Sequence, residues 1–193
     1  MRHPEVVLAP ALMVLNYYLT LLGADLARQS YRRHFLTAHY ELNPVWQKAV
    51  DRRRWFNLRH LALAMLIGGM LVLLTEAVDL DIVLLEGLLG FVFTYYGLSL
   101  GRHLSNILTF AHLVRCPDEV AGEVRLSHSY VLSLSIYQLL VVAVPIAMIA
   151  VFSPSPFALG AVAAVLVTML VQTFWLARAR RSDAQQPIIR SGG

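Results

Sequence analysis

The sequence predicts an all-α, polytopic membrane protein with five transmembrane helices and one amphipathic helix on the inner membrane surface. Three observations carry this expectation. Of 193 residues, 58% are apolar and only 15% are charged. An ordinary soluble domain has about 25% charged residues, so the polar side chains here are too few to coat a water-facing surface. The apolar residues come in long continuous runs, close to the 20 or so residues that cross a hydrocarbon core. The cationic residues gather in alternate connections between those runs.

The spans lie at about 5–25, 57–78, 81–101, 129–152 and 156–177. Together they make residues 1–180 a single integral-membrane domain, followed by a flexible cytoplasmic tail, 181–193. Arg28, Arg32, Arg33, Lys48 and Arg52 to Arg54 separate the first two spans. Glu76, Asp79 and Asp81 separate the second and third. Arg102, Arg115 and Arg125 separate the third and fourth, and Arg178, Arg180, Arg181 and Arg190 follow the fifth. Positive loops face the cytoplasm. The alternation therefore predicts an outside N-terminus and a cytoplasmic C-terminus, in a multi-pass protein of the cell membrane. The first span is not read as a cleaved signal, since its positive flank follows the apolar run.

Between the first two spans, Asn43-Pro44 reads as a helix start: Asn caps, and Pro at the first position gives up no needed N–H. The helix over about 43–56 places Val45, Ala49 and Phe56 on one face, with Trp46 and Val50 beside it, so it is expected to lie on the inner leaflet. Arg53 falls among the apolar residues and must snorkel. Residues 26–36 extend the first span, and the stretch from Arg102 to Arg115 extends the third.

Function is less plainly written. An Arg-His-Leu step occurs twice, at Arg59-His60-Leu61 and Arg102-His103-Leu104. The apolar core of the second span, Leu61 to Leu74, covers roughly 21 Å of a 30 Å hydrocarbon core. This draws Arg59 and His60 to the inner boundary, where Arg102, His103, Asn106 and His128 also arrive. Such residues either anchor helix ends at phosphates or hold an anionic group at the inner leaflet. The two steps are expected to face each other across the second and third spans, with Glu41 or a lipid phosphate between the arginines.

At the opposite end Glu76, Asp79, Asp81 and Glu86 form an acidic mouth. Glu86, Gly90, Thr94, Gly97 and Gly101 share one helical stripe, which suits close helix packing or the lining of a narrow pore. Asn16 with Thr20, Ser133 with Tyr137, and Thr168 with Gln172 form polar pairs explained by interhelical hydrogen bonds.

These features point first to a small oligomeric channel or transporter for cations, with Glu86, Glu76, Asp79, Asp81 and Thr94 along its path. Second is a membrane enzyme or binding protein that handles an anionic lipid or phosphate group through Arg59, His60, Arg102, His103, Asn106 and His128. Third is a haem, or another metal group, held by histidines; the sequence assigns no cofactor. Expected partners are membrane lipids, anionic ones at the inner leaflet included, and further copies of the chain; nucleic acid is not expected, because the positive charge flanks the spans. No H-E-x-x-H, G-x-S-x-G or P-loop pattern occurs. Cys116 is the single cysteine, which excludes an internal disulfide, and no Cys/His zinc spacing appears.

Overall fold

Pro4 opens a turn of 3₁₀ helix, Pro4–Val7, that runs into α1, Leu8–Gln29. Pro10 falls in the first turn of α1, where a missing N–H breaks no intrahelical bond. A short α2, Tyr31–His34, and β1, Phe35–Leu36, follow. Next come α3, Pro44–Asp51, and α4, Leu58–Glu76. The chain continues with α5, Ile82–Arg115, β2, Val124–Arg125, α6, His128–Phe152, and α7, Pro156–Gln185. This computed structural model describes residues 3–29, 31–36, 43–78 and 81–185; Glu41 and Asp79 lie outside them.

Five helices are long and apolar enough to cross a membrane: α1 with its preceding turn, α4, α5, α6 and α7. Their outward faces carry bare hydrocarbon. Val141 is 75% exposed, Leu170 69% and Phe152 80%, which only a lipid surround makes favourable. The chain is a multi-pass membrane protein.

Side-chain caps fix where the helices begin. Asn43 accepts from the Val45 N–H at 3.0 Å and Asn57 from the His60 N–H at 3.3 Å. Asp81 accepts from the Val83 N–H at 2.7 Å, and Ser127 from the Tyr130 N–H at 3.2 Å. The third span is much longer than its apolar run. α5 continues unbroken for 34 residues, about 51 Å, so its last turns stand clear of a 30 Å core. The stretch expected as a tail from residue 181 is helical through Gln185.

Helix order departs from sequence order. α1 packs on both α4 and α5, and α7 packs on both α5 and α6. The second and third spans therefore do not form the facing pair that their short acidic turn predicts. They meet near that turn through Val6, Ala9, Leu71, Leu85 and Leu89, and α1 lies between them beyond it. The small residues follow this order. Gly68 packs on the Pro10 ring of α1. A Cβ at Gly90 would enter the Phe157 backbone, and one at Gly160 the Gly87 backbone. The glycine stripe of α5 thus brings α7, not α4, into close approach.

α3 is more than a surface helix. Val50 is fully buried against Tyr17, Leu21 and Ala24 of α1, while Val45 is half exposed and Phe56 lies beyond the helix end, 72% exposed. The bundle takes the Trp46–Val50 side, because α1 offers an apolar groove there. Arg53 does not sit within the helix: it follows the Asp51 end at φ 51° and pairs with Asp25, 2.6 Å from Nε to Oδ1. A two-residue parallel ladder, Phe35 with Val124 and Leu36 with Arg125, joins the α1–α3 and α5–α6 connections. Tyr31 stacks on Phe35 and meets Phe110 of α5, with ring centroids at 4.4 and 4.6 Å.

Candidate functional site

The helix order leaves a cavity of about 750 Å³ lined by all five spanning helices and α3. Its apolar wall includes Leu63, Leu98, Leu139, Val142, Val167 and Val171. Its polar wall takes Asn16, Tyr17 and Thr20 from α1, His60 from α4, and Arg102, His103 and Asn106 from α5. Ser135 and Gln138 come from α6, and Thr168, Gln172 and Trp175 from α7. Gly97 and Gly101 also line it, and a Cβ at either would meet nothing within 4 Å. One half of the α5 stripe is therefore spent on packing and the other half on open space.

Both imidazoles are buried, His60 at 9% and His103 at 7% exposure. His60 Nε2 lies 3.0 Å from the Met13 carbonyl oxygen. A carbonyl only accepts, so Nε2 carries the hydrogen and Nδ1 of the neutral ring is bare. The ring stacks on Tyr17 at 4.7 Å and meets the edge of Trp46 at 4.9 Å. His103 Nε2 lies 3.0 Å from Thr20 Oγ1. Thr20 donates its own proton to the Asn16 carbonyl at 2.8 Å. The ring nitrogen is therefore the donor, and again Nδ1 is bare.

Neither Nδ1 has a hydrogen-bond partner among the described residues, and the same holds for Asn16 Oδ1 and Gln172 Oε1. Leaving such buried groups unpaired costs about 1–3 kcal/mol each. Arg102 donates to Ser135 Oγ, which ties α5 to α6.

The residues expected at an inner anionic site divide into two sets. His60, Arg102, His103 and Asn106 line one cavity. Arg59 does not: it is exposed, with its guanidinium 5.7 Å from the Trp46 ring centroid. His128 opens α6 outside the cavity lining. The two Arg-His steps therefore do not face one another. Each histidine turns to α1, at Met13 and at Thr20, because α1 occupies the space between α4 and α5. Glu41, one expected partner of the arginines, lies outside the described residues.

The acidic mouth is not part of this cavity. Glu76, Asp81 and Glu86 are exposed, Thr94 is half-buried, and none lines it; Asp79 lies outside the described residues. Asp81 serves as the cap of α5.

Ser135, Tyr17 and Trp175 carry no sequence signal that marks them as site residues. Ser135 is one serine among several in a uniformly apolar helix, and only its apposition to Arg102 marks it. Of the polar pairs, Ser133 and Thr168 bond their own helices, at the carbonyls of Ser129 and Ala164, rather than reaching across.

No protein family, curated protein or solved structure matches the chain.

Proposed function

We propose that the chain binds an anionic amphiphile in the cavity between its spanning helices, with the head group at the basic end. By the positive-inside rule that end faces the cytoplasm. The observation that supports this most directly is the cavity itself, a drug-sized space that joins a wall of leucine and valine to Arg102, His103, Asn106 and Gln172. No aspartate or glutamate lines it among the described residues, so its field favours a negative group.

The chemistry of the head follows from the donors and acceptors. Arg102 and the Asn106 amide suit a phosphate or carboxylate. Ser135, Gln138, Thr168 and Gln172 on the same lining can exchange hydrogen bonds with hydroxyls on that head. A hydroxylated anionic head with one apolar chain matches both sets.

A cation path has weaker support within one chain. Glu76, Asp81 and Glu86 stand on exposed positions near the α4–α5 turn, so conduction would run between copies rather than through this bundle. A histidine-bound haem would need His60 and His103 to release Met13 and Thr20 before either Nε2 reached iron.

The test is uptake by the full chain in neutral detergent, followed by native mass spectrometry. Lysophosphatidylglycerol, an anionic single-chain amphiphile with hydroxyls, is expected to bind at one per chain. Lysophosphatidylcholine, whose head carries no net charge, is expected to bind more weakly. Equal uptake of the two, or none of either, overturns the proposal.

A further inference from the structure

We propose that His112, Cys116 and Glu119 form a binding site for a zinc-class divalent ion at the basic end of α5, separate from the cavity. His112 and Cys116 stand four residues apart at the close of α5, on one helical face. Cys116 ends the helix, its N–H donating to the His112 carbonyl at 2.9 Å. Pro117 then starts a 3₁₀ turn, Pro117–Glu119, that folds back over the helix end. This brings Glu119 Oε2 to 2.7 Å from His112 Nε2. One nitrogen, one sulfur and one carboxylate oxygen thus lie within 4.8 Å of one another.

The three ligand atoms, all within 4.8 Å of one another, can reach tetrahedral spacing by small side-chain movements. Zinc bonds of about 2.0–2.3 Å set neighbouring ligand atoms about 3.3–3.6 Å apart. The His112–Glu119 contact must open by a little more than half an ångström. Both side chains are more than half exposed, at 57% and 59%, so that adjustment meets no packed neighbour shell.

The donor set selects the ion. A thiolate disfavours magnesium and calcium, while sulfur, imidazole and carboxylate together suit zinc or cobalt. On binding, the Cys116 thiol releases its proton to solvent, and His112 presents Nε2 as a lone pair with its hydrogen on Nδ1. Three protein ligands leave a fourth position for water. The same connection carries Val124–Arg125, paired with Phe35–Leu36, so an ion here would brace the junction of two loops.

The test is cobalt(II) titration of the full chain, purified without an affinity tag, followed by absorption. The expected result is a sulfur-to-cobalt charge-transfer band that saturates at one ion per chain and is displaced by zinc. Cys116→Ala removes the band. His112→Ala and Glu119→Gln each weaken binding by at least about tenfold, the lower end of what losing even an outer-shell partner costs. His34→Ala, at the end of α2, leaves binding unchanged. No band in the wild type, or a band that survives Cys116→Ala, overturns the proposal. Thermal unfolding of each variant checks that a lost band is not a lost fold.

Discussion

Thr20 and His103 form a buried hydrogen bond between α1 and α5, in which Thr20 acts only as acceptor because its proton is already given to the Asn16 carbonyl. This fixes the tautomer of His103 and the face it turns to the cavity. Thr20→Val keeps the volume but leaves the His103 Nε2–H buried and unpaired. The expected cost is about 1–3 kcal/mol, read by thermal unfolding in detergent, with Thr20→Ser close to wild type. A Thr20→Val variant as stable as wild type would show that the bond is not made.

Gly90 and Gly97 stand on one stripe of α5 but have opposite environments. Gly90→Ala pushes a methyl into the Phe157 backbone, and overpacking of this kind costs about 1–3 kcal/mol. Gly97→Ala meets open space and gains helix propensity, up to about 1 kcal/mol. The two variants should therefore move the melting temperature in opposite directions. Equal destabilisation of both would contradict the α5–α7 packing.

Tyr17 holds the α3–α4 connection to α1. Its hydroxyl donates to the Arg54 carbonyl at 2.6 Å and accepts from Asn57 at 3.4 Å. Tyr17→Phe keeps the stacking on His60 and removes these bonds, at a cost of about 1 kcal/mol. Limited proteolysis is the more direct readout, with faster cleavage between Asp51 and Leu58 expected. An unchanged cleavage pattern would mean that the connection is held elsewhere.

The spans were readable because each of these helices holds an apolar stretch long enough to cross a hydrocarbon core, even where the helix, as in α5, runs far past it. The order in which the helices pack was not. α6 and α7 are apolar almost all round, so no stripe marks a partner, and the glycines of α5 mark a close approach without saying to which helix. Four of the site's polar residues were visible as boundary residues: His60, Arg102, His103 and Asn106 sit at or just beyond the ends of hydrophobic runs. Their convergence was not visible, since it depends on α1 lying between α4 and α5. Arg59 illustrates the limit. In sequence it matches Arg102, yet one helical position separates it from His60, and it turns outward onto Trp46. The His112–Cys116–Glu119 group was hidden for another reason: its third member arrives through the turn after Pro117, not by helical spacing.

The arginines test the central claim most directly. Lysophosphatidylglycerol uptake should be compared by native mass spectrometry across the wild type, Arg59→Gln and Arg102→Gln. Arg102 lines the cavity and Arg59 does not, so Arg59→Gln should bind as the wild type does. Arg102→Gln should lose about tenfold or more, equivalent to the 1.4 kcal/mol that one charge-assisted hydrogen bond readily supplies. Equal losses in both variants would instead assign the binding to general surface charge and contradict a head-group site in the cavity.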